Sequence, residues 1–225
     1  VADLVVREIP DQKTVATREE VLEALWRAWL VCFGEAPKKE SVWILLSQWA
    51  LETGWGKSMH CYNFGNVKSR EGDGFDYCYF ACNEILPLAQ AQRYAAESPA
   101  TAKITTVRSD GKAIIWFYPK HPGCRFRAFE TLFEGAIDHL TLIRKRFDKS
   151  WPAVLAGDPA QYGHLLRVQK YYTADESSYV ATLSSVFKTI SRIKFDYTTL
   201  PTAPEALELT EAQTERLAAA LSRLA

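Results

Sequence analysis

Ser47-Gln48-Trp49-Ala50-Leu51-Glu52-Thr53-Gly54-Trp55-Gly56-Lys57-Ser58 ends a run that is apolar on more than one helical face. Val42, Ile44, Leu45, Trp49 and Leu51 leave no polar side to such a helix, so it is expected at the centre of the core, with Ser41 as its N-cap. The run stops at Glu52, and Gly54 and Gly56 break the helix just beyond it. The sequence therefore places a carboxyl at the end of a buried helix, beside two glycines that leave room for a ligand.

Burial against apolar groups raises a carboxyl pKa, because the charged form loses its water. A carboxyl still protonated near neutral pH can serve as a general acid. Trp49, Ala50, Leu51 and Trp55 are suitable neighbours for such a group at Glu52. The plainer alternative is a helix-terminal glutamate paired with a lysine such as Lys57, and spacing by itself leaves both open.

Three further segments follow in order. Tyr62-Asn63-Phe64-Gly65-Asn66-Val67-Lys68 comes first, then Phe126-Arg127-Ala128-Phe129 leading into a helix with Asp138, then Tyr171-Tyr172-Thr173-Ala174-Asp175 with Ser178-Tyr179 behind it. With the Glu52 stretch, these four segments resemble the glucosaminidase family of bacterial cell-wall hydrolases, which includes flagellar-type glucosaminidases and autolysins. The resemblance spans residues 47–179. It implies an α+β, mainly α fold: a lysozyme-like helical domain with a small β-hairpin lobe flanking a cleft. It also implies a peptidoglycan glycan-strand hydrolase that cuts β-1,4 bonds between N-acetylglucosamine and N-acetylmuramic acid, with Glu52 as general acid.

The family often carries a second acid on the hairpin lobe, and the separation of the two carboxyls sets the stereochemical course. Glu84 is the first candidate and Asp76 the second; Glu71 and Asp73 look like turn residues. Tyr171 matches a family tyrosine near the catalytic centre and is expected to donate to the acetamido group or to stabilise charge at the anomeric carbon. Trp55, Asn63, Phe64 and Tyr172 are the expected substrate-binding residues, with Trp55 more a plug over Glu52 than a platform for sugar. The segment from about Cys78 to Gly123 departs from the compact family core. In it Trp116, Phe117 and Tyr118 alternate on a strand, so one or two of them could face substrate.

Composition narrows the remaining classes. The 225 residues carry 27 basic and 27 acidic side chains, a balance that argues against a nucleic-acid partner. No apolar stretch is long enough to span a membrane. The N-terminus shows no basic segment followed by an apolar run, so no signal peptide is visible; the resemblance nonetheless implies action in the periplasm or outside the cell. The five cysteines, Cys32, Cys61, Cys78, Cys82 and Cys124, lack the spacing of a zinc site. One or two disulfides among the last four are expected. No metal or organic cofactor is expected, since carboxyl, hydroxyl and backbone groups suffice for the chemistry.

The expected organisation is an extended leader at 1–16, a domain at 17–198, and a linker with an amphipathic helix at 199–225. Thr17 caps the first helix, with Glu20 three positions on. A hairpin is expected around Glu71-Gly72-Asp73-Gly74, a helix over 85–105 and a strand from Ala113 to Tyr118. Further helices are expected from Leu132, from Pro159, and after a Ser177 or Ser178 cap. Two other functions remain in view: a catalytically idle peptidoglycan-binding module on the same fold, and a component of a larger wall-perforating assembly. Only the C-terminal helix supports the second.

Overall fold

The computed structural model describes residues 6–203 together with 214, 215 and 218. In chain order the elements are α1 (Arg18–Phe33), α2 (Lys39–Thr53), β1 (Tyr77–Tyr79), β2 (Cys82–Pro87), α3 (Leu88–Glu97), β3 (Ala102–Val107) and β4 (Lys112–Phe117). They continue with β5 (Arg125–Arg127), α4 (Leu132–Arg146), α5 (Trp151–Ala156), α6 (Pro159–Val168) and α7 (Glu176–Ile190). The fold is mainly α with small antiparallel sheets. No helix among the described residues is long and apolar enough to cross a membrane. The expected C-terminal helix lies largely outside the described residues.

The chain divides into two compact units. The helical unit comprises residues 13–65 and 130–225. Its axis is α2, which packs against α1, α5 and α7. Val42, Ile44, Leu45, Leu46 and Trp49 are all buried, as expected of a helix with no polar side. The first helix starts at its capping box: Glu20 N–H donates to Thr17 Oγ1 at 3.2 Å and Thr17 N–H to Glu20 Oε2 at 2.7 Å. Thr131 and Glu134 repeat the device on α4.

Two expected caps are corrected. Lys38, not Ser41, is the N-cap of α2, and Ser41 is buried one turn into the helix. Asp175, not Ser177 or Ser178, caps α7, accepting from Ser178 N–H at 2.9 Å. Its carboxylate accepts from the N–H three residues on, as an N-cap side chain does. The helix α5 was not foreseen. At six residues it is too short to show periodicity, and Trp151 holds it by stacking on Trp29 at 5.2 Å.

The second unit comprises residues 1–12 and 66–129. A two-stranded sheet pairs β1 with β5, and a three-stranded antiparallel sheet runs β2-β4-β3. The leader joins β1 through Ile9 N–H to Tyr77 O at 2.7 Å and Tyr77 N–H to Arg7 O at 3.0 Å. The expected hairpin at 71–74 is instead a turn closed by Asp73, which accepts from Arg70 N–H at 2.9 Å and Phe75 N–H at 3.1 Å. The hairpin proper joins β3 to β4 at Gly111, where φ is 76°. The helix expected over 85–105 shrinks to α3, because its two ends pair with β4 as strands.

Disulfides were expected, yet all five cysteines are thiols. Cys82 Sγ is directed at Gly123 O at 3.5 Å and Cys124 Sγ at His121 O at 3.3 Å, so these two thiols turn toward separate carbonyls.

Candidate active site

Glu52 is the penultimate residue of α2, and the chain turns sharply after it. Gly54, Trp55 and Gly56 follow in left-handed conformation with φ of 58°, 60° and 79°. Thr53 Oγ1 accepts from Gly56 N–H at 2.9 Å and so fixes the turn. For Trp55, which has a Cβ, this backbone is strained. Its side chain is 38% exposed, so it does not plug the site as expected; it stands at the surface just beyond Glu52.

The face of α2 that carries Glu52 also carries Gln48, one turn earlier. Both meet tyrosines of the helical unit. Tyr179, on α7, donates its hydroxyl to Glu52 Oε1 at 3.1 Å. Tyr162, on α6, donates to Gln48 Oε1. Tyr171, in the turn after α6, stands edge-on to Phe147 at 4.9 Å. Burial raises the pKa of Tyr162 and Tyr171, and the nearby Glu52 charge raises both further. The carboxyl is thus surrounded by neutral phenols and an amide.

This enclosure sets the protonation of Glu52. Burial pushes its carboxyl up to about 7, and the hydrogen bond from Tyr179 opposes that rise. The residue as a whole is of intermediate exposure, and desolvation of its carboxyl is the largest influence on the pKa. Near neutral pH the group has a substantial protonated fraction, as a general acid requires.

The other residues singled out in the sequence are distributed differently from expectation. Tyr172 lies under Tyr179, with ring centroids 3.7 Å apart and planes within 13°, and its hydroxyl donates to Gly163 O at 3.0 Å. It therefore supports Tyr179 from behind. Asn63 and Phe64 were expected to touch substrate, but each is only 1% exposed. Phe64 packs between Trp49 and His139, at 6.4 and 5.9 Å, because the loop is drawn down onto α4. Both residues hold the loop from within.

Asp76 and Glu84 belong to the second unit. Asp76 is clamped by Arg7, accepting from its backbone N–H at 2.8 Å, from Nε at 3.1 Å and from Nη2 at 2.6 Å. Glu84 is half-exposed and pairs with Lys68 at 3.2 Å. Sequence reasoning gave no site role to Tyr179, Tyr162 or Gln48, although Tyr179 and Gln48 lie in the segments that carry the resemblance. Gln48 left a signal, a polar residue at i−4 from the carboxyl on an otherwise apolar helix. Tyr162 left none, and Tyr179 only its place behind the last resembling segment, since aromatic residues on amphipathic helices are ordinary core.

No family model and no curated protein sequence matches the chain. Among solved structures the chain is similar to a C-terminally truncated glycoside hydrolase domain of FlgJ from Salmonella typhimurium. The two are 18% identical, with 79% of this chain and 99% of that one covered, at a TM-score of 0.45. It is also similar to the catalytic domain of the autolysin Auto from Listeria monocytogenes. That pair is 13% identical, with 80% of this chain and 88% of the other covered, at a TM-score of 0.44.

Proposed function

We propose that the protein is a glycoside hydrolase of bacterial peptidoglycan, cutting β-1,4 bonds between N-acetylglucosamine and N-acetylmuramic acid with Glu52 as general acid. The observation that carries this reading is the Glu52 carboxyl, pushed up to about 7 by burial while Tyr179 holds one of its oxygens. A buried acid costs stability and is not needed for passive glycan binding. The four ordered sequence segments around Glu52, Asn63, Phe126 and Tyr171 supply the substrate class. The setting that goes with it is the periplasm or the cell exterior.

In this reading Glu52 passes its proton to the glycosidic oxygen as the bond from that oxygen to the anomeric carbon breaks. Water adds its oxygen to the anomeric carbon and gives up a proton, so the net change is hydrolysis. The general-acid step contributes about 10²- to 10⁴-fold. The Tyr171 hydroxyl serves the acetamido group, and exposed Trp55 offers a sugar-stacking plane. Glu84 and Asp76 are the carboxylates proposed as base; Glu84 is the first choice, because it is held by one ion pair to Lys68 whereas Arg7 engages both oxygens of Asp76.

The test is mass spectrometry of soluble fragments released from purified peptidoglycan by the wild type and by Glu52→Gln. Wild type should release fragments and the variant should not. Reducing N-acetylglucosamine ends would identify a glucosaminidase, and reducing or anhydro-muramic ends a muramidase or transglycosylase. A folded Glu52→Gln protein with full activity would overturn the reading.

A further inference from the structure

The three-stranded sheet of the second unit has two unlike faces. On one, Ala113, Ile115 and Phe117 of β4 are buried, and α3 packs over them with Ala91 buried and Tyr94 edge-on to Phe117 at 5.6 Å. Strand alternation sends Ile114 and Trp116 to the other face, together with Asn83 and Ile85 of β2 and Lys103 of β3. Ile85 is 50% exposed there, and Asn83, Lys103 and Lys112 are exposed as well.

Three features of this open face point to one kind of ligand. First, Trp116 and Tyr118 lie side by side, 6.4 Å between centroids and 24° between planes, which makes a nearly continuous aromatic surface. Half-burial of both side chains fixes the platform before any ligand arrives. Such planes suit the apolar faces of pyranose rings. Second, Trp116 stands in register between Asn83 and Lys103, so an amide and an ammonium flank its ring. Third, the paired positions of this face carry Lys103 and Lys112 and no carboxylate. Lys103 Nζ lies 5.9 Å from the Tyr118 ring, and neither lysine forms an ion pair among the described residues.

We propose that this face binds an anionic glycan strand, with sugar rings against Trp116 and Tyr118 and carboxylates against Lys103 and Lys112. Identifying the strand as peptidoglycan, whose stem peptides (or the lactyl groups of sugars that carry no peptide) supply the carboxylates, rests on the function proposed above; the anionic glycan chemistry comes from the face itself. The site lies on the segment from about Cys78 to Gly123 that departs from the compact family core, so it adds a contact beyond the four matching segments.

The test is co-sedimentation with insoluble purified peptidoglycan, using full-length Glu52→Gln protein so that the wall stays intact. Adding Trp116→Ala with Tyr118→Ala should weaken binding by about tenfold or more. The pair Lys103→Glu with Lys112→Glu, both at exposed positions outside the core, should weaken it comparably at low salt and less at high salt. The lysine variant should bind chitin, a neutral glycan, as its parent does. Unchanged wall binding in both variants would overturn the proposal, as would retention on phosphatidylglycerol vesicles but not on wall. Loss in the aromatic variant alone would overturn the anionic assignment. The binding readout needs no turnover: wall binding through this face, with no fragments released by the wild-type protein, would sink the hydrolase reading and leave this one standing.

Discussion

The Tyr179 hydroxyl donates to Glu52 Oε1 at 3.1 Å, linking α7 to the end of α2 across 127 residues of chain. The bond acts in two ways. It fixes the orientation of the carboxyl, and it opposes the rise in pKa that burial imposes. Tyr179→Phe removes the donor and keeps the ring. The Glu52 pKa should then rise further, and the alkaline limb of the kcat pH profile should move to higher pH. Loosened positioning should lower kcat by up to about 100-fold, with KM little changed. A kcat loss with an unmoved alkaline limb would show that Tyr179 does not tune Glu52.

Glu52→Gln should stabilise the protein above neutrality. The folded-state pKa of Glu52 is raised, from 4.5 to about 7, so the unfolded chain releases this proton at lower pH than the folded one. Wild-type stability therefore falls as pH rises from about 4.5 to 7, a loss that the variant avoids; at about 1.4 kcal/mol per pKa unit the difference is on the order of 3–4 kcal/mol. Denaturant melts at pH 4 and pH 8 would measure it. Equal stability gaps between the two proteins at both pH values would contradict the pKa. His139 works in the opposite direction: burial pushes it down to about 4, so its contribution to stability is lost as pH falls from 6.5 toward 4 and should persist in the variant.

The Tyr172–Tyr179 stack makes a separate prediction. Tyr172→Phe keeps the stacked ring and gives up only the hydrogen bond to Gly163 O, costing about 1 kcal/mol. Tyr172→Ala removes the ring beneath Tyr179 and should cost about 3–5 kcal/mol, by analogy with other buried aromatics. It should also shift the pH profile in the direction of Tyr179→Phe, while Tyr172→Phe should not. Chemical unfolding and pH–rate profiles of both variants check this.

Much of the helical unit was legible because its signals are local. The Thr17 cap, the apolar run of α2 and the Asp158-Pro159 start of α6 each fix a boundary within four residues of chain. The second unit was less legible because its order is non-local: Cys82–Pro87 becomes a strand only through β4, thirty or so residues on, so the alanine-rich segment beside it suggested one longer helix. The same contrast holds at the candidate site. Glu52 stood out as a carboxyl at the end of an apolar helix, whereas Tyr179 acquires its role only when α7 packs on α2.

Gly135, on α4, gives a test of how the loop at Asn63 and Phe64 is held. A Cβ at this position would stand 2.0 Å from the Tyr62 carbonyl oxygen and 3.2 Å from the Phe64 ring. The first obstacle is backbone, so rotamer changes cannot relieve it. Helix α4 is otherwise well formed here, and alanine would favour helix intrinsically by about 1 kcal/mol. The clash should outweigh that gain. Gly135→Ala is expected to destabilise the protein by a net ~1–3 kcal/mol and to displace the loop from α4. Loop displacement should appear as faster hydrogen exchange at Asn63, whose N–H is bonded to His60 O at 2.9 Å, with protection in α1 unchanged. A variant as stable as wild type, with Asn63 equally protected, would mean that the close approach of α4 to the loop is not what holds the loop in place.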